Sequence, residues 1–130
     1  MSDKTQENLD NLIVEGLNVE KGELDLRERE LDDEDFKLIV KSDKLKGVTA
    51  LFLEYNEIGD QGLQAILDSE KFKHLTALNM FKNQVTDVSV KEMAKSKTLL
   101  NLSELVMSDN MIGVEGARAL SESKTLSNLV

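Results

Sequence analysis

The sequence predicts an α/β solenoid, a stack of coils each made of a short strand, a tight turn and a returning helix. Three observations carry that prediction. Leu51 and Leu53 alternate as the inward residues of a strand. Gly59 and Gly62 mark a turn, after which Leu63, Ile66 and Leu67 stand at helical spacing. The unit then recurs every 27 residues without an insertion.

Each position can be followed through four units. Leu51 has the equivalents Leu24, Leu78 and Leu105. Two residues on stand Leu26, Leu53, Met80 and Met107, and five on stand Arg29, Asn56, Asn83 and Asn110. Seven on come Leu31, Ile58, Val85 and Ile112; twelve on, Phe36, Leu63, Val90 and Ala117; fifteen on, Ile39, Ile66, Met93 and Leu120. Eighteen on, all four are serine: Ser42, Ser69, Ser96 and Ser123. Leu45, Phe72, Leu99 and Leu126 follow, then Val48, Leu75, Leu102 and Leu129.

Each residue type has a physical task in such a coil. The alternating pair puts two apolar side chains on one strand face. The asparagine serves as a surrogate backbone for groups that the turn leaves unpaired. Gly59 and Gly113 are expected in a turn with positive φ, and Gly62 and Gly116 where the helix start packs closely. The serine near the helix end is expected to bond the carbonyls left open there. One coil cannot bury its apolar face alone, so stacking makes the core continuous.

At these residues the pattern L-x-x-L-x-L-x-x-N-x-[IV]-G-x-x-G-x-x-x-[IL] resembles the leucine-rich repeat, in the long helical variety of ribonuclease-inhibitor-like proteins. The resemblance covers Leu24 to Val130. It implies a right-handed β/α horseshoe segment of four 27-residue repeats, with a parallel sheet on the concave side and helices on the convex side. It also implies protein binding through the concave face. The first unit departs from the pattern, with Arg29 for Asn and Asp32 and Asp35 for the glycines. The third has Thr86 and Ser89 there. Those two turns are expected to differ in shape.

The N-terminal 23 residues precede the repeats. Met1 to Lys4 are expected to fray. Thr5 is the candidate N-cap of a helix running to about Glu15, with Leu9, Leu12 and Ile13 on one face and Gly16 ending it. With Leu17 and Val19 this helix suits a terminal cap with a polar outer side; an amphipathic docking helix is the alternative. At the other end the chain stops one residue short of a complete fourth unit, and no polar cap follows Leu126 and Leu129. The expectation is therefore a fragment of a longer array or a short solenoid, or else an oligomer formed through the uncapped end.

Composition narrows the function classes. The chain has 130 residues, enough for one domain, and its formal charge is −9. Neutralising phosphates needs clustered Lys and Arg, so nucleic acid is disfavoured and a basic protein partner would be steered inward. With no cysteine, a reducing compartment is favoured, which makes the cytoplasm the expected location with a secreted effector left open. The acidic N-terminus is no signal peptide, and no stretch is long and apolar enough to span a membrane. The run Asp32 to Asp35 favours the positive end of the helix dipole and lacks the glycine and spacing of a calcium loop. His74 is the sole histidine, so neither a transition-metal site nor a serine triad is supported. The Gly59 to Gly62 turn is followed by no lysine-serine signature and recurs at Gly113 to Gly116, which makes it structural rather than phosphate-binding. No enzyme and no cofactor are expected.

The informative places are strand positions that the coil does not need for its core. Side chains alternate along a strand, so the neighbours of the core leucines face outward. In order they are Glu23, Asp25, Arg27, Glu28; Ala50, Phe52, Glu54, Tyr55; Ala77, Asn79, Phe81, Lys82; and Glu104, Val106, Ser108, Asp109. Of five aromatics, Phe36 and Phe72 hold core positions, and Phe52, Tyr55 and Phe81 all fall on this outward set. Exposed aromatics flanked by charge have the make-up of a binding hot spot; cross-strand packing is the structural alternative. The candidate protein-binding site is Phe52, Tyr55 and Phe81 as anchors, extended by Val106 and Asn79, with Glu54, Lys82 and Asp109 as a polar rim. Four strands span only about 14 Å, whereas a stable interface needs about 800 Å² per partner. Weak binding, help from loops, or further repeats would reconcile the two. The expected function is a non-enzymatic protein-interaction module. The alternatives are a self-associating repeat segment and, from the resemblance, a regulator of an enzyme such as a GTPase.

Overall fold

The computed structural model describes residues 4–126. The expectations for Met1 to Asp3 and for Leu129 and Val130 lie outside them. Helix α1, Gln6–Gly16, leads into β1, Leu17–Asn18, and β2, Glu23–Asp25. Three further strands follow, β3 (Ala50–Phe52), β4 (Ala77–Asn79) and β5 (Glu104–Val106). The helices α2 (Asp33–Ile39), α3 (Asp60–Leu67), α4 (Asp87–Lys95) and α5 (Val114–Ser121) return the chain after β2, β3, β4 and β5.

The sheet order is β1-β2-β3-β4-β5, with β2 to β5 parallel. Leu24, Leu51, Leu78 and Leu105 are direct cross-strand partners, so the spatial register is the 27-residue register of the sequence. Backbone pairing outlasts the strands: Leu26, Leu53 and Met80 N–H groups donate to Phe52, Asn79 and Val106 carbonyls at 2.8–2.9 Å. Behind the sheet the core is continuous. Leu24, Leu26, Leu51, Leu53, Met80, Phe36 and Phe72 are fully buried, each side chain worth about 1.5–3 kcal/mol by removal from water.

The asparagines join coil to coil. Asn56 Oδ1 accepts from Arg29 and Leu31 N–H at 3.1 and 2.9 Å, and its Nδ2 donates to Leu26 and Leu53 carbonyls at 2.9 and 3.0 Å. Asn83 repeats this with Ile58 N–H, at 3.0 Å, and the Leu53 and Met80 carbonyls. Asn110 does so with Val85 N–H and the Met80 and Met107 carbonyls. Each asparagine reaches back to the coil before it. The first coil has no such coil behind it, which is why Arg29 can stand in the asparagine's place.

A second ladder links the helix starts, and it corrects the expectation for Gly59 and Gly113 while bearing out the close packing expected at Gly62 and Gly116. Gly59 and Gly113 have φ of −107° and −104°; they are extended N-cap residues, not left-handed turns. The left-handed non-glycine positions are Glu28, Tyr55, Lys82 and Asp109, at the same point of every coil, together with Glu30; the left-handed glycines among the described residues are Gly22 and Gly47. What the glycines provide is room for a carboxylate from the preceding coil. Asp33 Oδ1 accepts from Gly59 and Gly62 N–H at 2.7 and 2.9 Å, and Asp87 accepts from Gly113 N–H at 2.8 Å. A Cβ on Gly62 would stand 2.5 Å from Ile58 Cγ2 and 2.7 Å from Asp33 Oδ1. In the third coil Thr86 and Ser89 replace the glycines and bond Asp60 with their hydroxyls, each at 2.5 Å. Burial alone would raise the Asp60 pKa, but the bonds from Ser89 and Thr86 outweigh it and hold the carboxyl below its usual range.

The turn of the third coil therefore keeps the common shape, whereas that of the first differs as expected, with Glu30 left-handed at a position where Glu57, Gln84 and Met111 are not. Asp32 and Thr86 have φ,ψ of −115°, −173° and −113°, −179°, in the same extended region as Gly59. Asp32 builds a reciprocal capping box with Asp35. The repeated serines also act differently from expectation. Ser42, Ser69 and Ser96 accept from the N–H two residues on, at 3.1–3.2 Å, rather than donating to helix carbonyls. Those carbonyls are met from the next coil: Lys71 donates to Ser42, Thr98 to Leu67 and Thr125 to Ala94. Ser123 does bond a carbonyl, that of Ala94.

The two ends of the stack are unlike. Thr5 caps α1, accepting from Asn8 N–H at 3.2 Å, and Leu9 and Ile13 are fully buried against the first coil. β1 pairs antiparallel with β2 and so lies along its edge. Gly16 is required there, because a Cβ would overlap the Asp25 carbonyl. At β5 the core positions Leu105, Met107, Ile112 and Leu120 are only half-buried, whereas their equivalents in earlier coils are sealed.

Candidate protein-binding face

The outward face of the sheet has two columns across the strands. Asp25, Phe52, Asn79 and Val106 are cross-strand neighbours. Two residues on, just past the strand ends, Arg27, Glu54, Phe81 and Ser108 form the second. Phe52, Glu54, Asn79 and Phe81 are half-buried, while Lys82 and Asp109 are exposed, as are Val106 at 38% and Tyr55 at 51%. The eight residues singled out by the sequence therefore lie on one face of β3 to β5 and the turns after them.

Backbone conformation decides how the aromatics are held. Tyr55 sits at φ 61°, where a non-glycine residue is uncommon. Its N–H donates to the Phe81 carbonyl at 3.0 Å, which fixes this turn to the next coil. The Tyr55 and Phe81 rings meet edge to face, with centroids 5.4 Å apart and planes at 82°. Phe81 thus packs across the turns, as the structural alternative has it, and Tyr55 leaves half its surface in solvent. Asn79 also has a structural duty, because its Oδ1 accepts from Phe81 N–H at 3.0 Å.

The N-terminal half of the face is charged. Arg27 grips Asp25 through Nε and a terminal nitrogen, at 2.9 and 2.8 Å. The Arg27 hydrogen bond is the main reason the Asp25 pKa falls, and Asp25 in turn raises that of Arg27. A recess of about 270 Å³ lies beside this pair, lined by Glu23, Asp25, Arg27, Phe52, Glu54 and Asn79 among others. Glu54 Oε1 is buried and has no hydrogen-bond partner among the described residues. The sequence placed Glu23, Asp25 and Arg27 on the outward face. It held no sign that they join Phe52 and Glu54 around one recess, because that depends on the twist and spacing of three strands.

Among the described residues no three of His, Asp and Glu are grouped so as to hold a metal ion. His74 is exposed, in the loop before β4. No helix among them is long and apolar enough to cross a membrane.

The fold and this face define a repeat protein of stacked strand–helix coils. A family model described as Leucine Rich repeat matches residues 48–67, 73–94 and 98–121, together half of the chain. The chain belongs to the leucine-rich repeat family, whose domains generally mediate protein–protein interaction. Among solved structures, it is similar to a chain of the Chaetomium Mex67:Mtr2 subunits, with a TM-score of 0.69 and 16% identity over 90% of this chain and 83% of that one. That likeness is one of fold. No curated protein matches the sequence.

Proposed function

We propose that this chain is a non-catalytic interaction module that binds a protein through its sheet face, with Phe52, Tyr55 and Phe81 as anchors. The observation that carries this reading is Tyr55, half exposed in a left-handed turn and braced edge-on by Phe81, on the sheet face opposite the core formed by Leu51, Leu53, Leu78 and Met80. A large amphipathic ring held rigid before binding loses little entropy on binding, and such rings dominate interface energetics. Val106 and Asn79 extend the patch, and Glu54, Lys82 and Asp109 edge it. The acidic net charge favours a basic partner. In this reading residues 1–23 form a helical cap and 24–130 are four repeats of the ribonuclease-inhibitor-like variety. The cysteine-free composition supports a reducing compartment such as the cytoplasm.

The test is site-directed photo-crosslinking in lysate, with the reactive residue at Tyr55 on the sheet face or at Val88 on the helix face, where the side chain is 69% exposed. A discrete partner band at Tyr55 and none at Val88 is expected. Phe52→Ala with Phe81→Ala, checked by circular dichroism to be folded, is expected to abolish that band. Equal crosslinking from both faces, or a band that survives the double substitution, would overturn the reading.

A second reading rests on the half-buried core residues Leu105, Met107, Ile112 and Leu120 beside β5. Two positions that are polar in the earlier coils turn apolar in this coil alone. Glu30, Glu57 and Gln84 become Met111, and Asp33, Asp60 and Asp87 become Val114; these two are 60% and 74% exposed. This flank supports self-association of the chain, with two copies meeting through their β5 ends.

A further inference from the structure

We propose that the recess beside Phe52 is a socket for one arginine side chain of the protein partner, held by the Glu54 carboxylate. This rests on the sheet-face reading above and names the chemistry of the partner residue that enters it.

Three separate features converge on the recess. It is a cavity of about 270 Å³ that opens on the outward face of the sheet, between coils rather than between helices. Its charge is one-sided. Glu23, Asp25 and Glu54 bring three carboxylates against the single guanidinium of Arg27, and that guanidinium is already committed to Asp25 by two bonds. Glu54 Oε1 is buried with no donor among the described residues. A buried carboxylate oxygen left unpaired is costly, and a cation delivered to it removes that cost, so binding gains what the free protein lacks.

The shape of the socket selects arginine over lysine. Phe52 lies in register between Asp25 and Asn79 and lines the recess. A planar guanidinium can lie against an aromatic face while its edge donates in the plane to a carboxylate. A lysine ammonium is a point charge that keeps its water more strongly and cannot serve both groups at once. Glu23 stands on the same strand as Asp25 and supplies a second carboxylate for a guanidinium edge. An anionic partner residue meets repulsion from all three carboxylates, and a neutral one leaves Glu54 unpaired.

The probe is a capped glycine pentapeptide with one central arginine, titrated into the nitrogen-15-labelled chain and followed by amide shifts. The control peptide carries citrulline, the neutral isostere, and a third carries lysine. The arginine peptide is expected to move the amides of Glu23, Phe52, Glu54 and Asn79 first, the lysine peptide to do so more weakly, and the citrulline peptide not at all. Glu54→Gln is expected to weaken the arginine peptide about tenfold, the loss of one charge-assisted bond. The same substitution is expected to leave the melting temperature unchanged or higher, because it removes the charge from a group whose buried Oε1 has no donor among the described residues.

The proposal is overturned if the arginine peptide shifts the Asp32 to Asp35 amides as strongly as those of the recess, since that is attraction to an acidic surface and no more. It is overturned equally if citrulline binds as arginine does, or if Glu54→Gln binds as wild type does. A lower melting temperature for Glu54→Gln would also overturn it, by showing that the carboxylate supports the fold. These failures are separable from failure of the sheet-face reading. Crosslinking at Tyr55 that persists while Glu54→Gln has no effect removes the arginine socket alone.

Discussion

Truncating the ladder asparagines should destabilise the protein in a fixed order, Asn56→Ala most, Asn83→Ala next and Asn110→Ala least. The order follows from which backbone groups lose every partner. Removing the Asn83 side chain leaves Ile58 N–H with none, but the Leu53 carbonyl keeps its bond from Asn56 and the Met80 carbonyl keeps that from Asn110. One buried orphan N–H costs about 2 kcal/mol. Removing Asn56 orphans two N–H groups, those of Arg29 and Leu31, and also the Leu26 carbonyl, which accepts from Asn56 alone among the described residues. Arg29 N–H is only partly buried, so the total is about 3–5 kcal/mol rather than three full penalties. Asn110 orphans Val85 N–H and the Met107 carbonyl, but both lie at the half-exposed end of the stack, where water can reach, for about 1 kcal/mol. Urea unfolding monitored by circular dichroism measures the three differences, with the denaturant slope expected to stay unchanged. A domain of this kind holds about 5–15 kcal/mol, so Asn56→Ala should consume a large share of it. Equal costs at the three positions, or a reversed order, would refute the accounting by orphaned groups.

The carboxylate ladder makes a pH prediction. The folded-state pKa of Asp60 lies below the ordinary Asp value of 3.8, so its contribution is present in full above that value and is lost as pH falls through the lowered one. Asp60→Asn should cost about 1–2 kcal/mol at neutral pH and flatten the acid side of a melting-temperature profile; a profile parallel to wild type would rule out this role. The two glycines of a turn should respond oppositely. Gly59→Thr, which copies the third coil at an ordinary φ, should change stability by less than about 1 kcal/mol, whereas Gly62→Ala should cost about 1–3 kcal/mol through its collision with Ile58 and Asp33. Thermal melts of the pair check this, and a large loss for Gly59→Thr would restore the need for positive φ. For the open flank, light scattering over a range of concentrations should show self-association that Met111→Glu with Val114→Asp removes. A strict monomer at every concentration would exclude the second reading.

Much of this architecture was legible in the sequence because the repeat has no insertions. A constant 27-residue spacing can be met only if equivalent residues stack, so Leu24, Leu51, Leu78 and Leu105 had to become cross-strand partners. Side-chain alternation then placed Phe52, Asn79 and Val106 together on the outward face. The asparagine's function was legible for the same reason, since a buried amide in a turn must satisfy backbone groups.

Other features belonged to the tertiary structure. Gly59 and Gly113 looked like left-handed turn residues because glycine most often serves that need, but their actual task is to admit a carboxylate from 26 residues earlier in the chain. No local pattern within one coil encodes that contact. In the repeat the positive φ values fell instead on Tyr55, Lys82 and Asp109, residues with no intrinsic preference in common, and at Tyr55 and Lys82 the turn keeps the backbone bonded to the next coil. The recess at Glu54 was decided at the same level. Sequence alone determined which residues face outward, period by period. Only the stacking of the strands set Glu54 beside the Asp25–Arg27 pair with its Oε1 buried and without a hydrogen-bond partner among the described residues, because that depends on distances between coils and not on spacing within one.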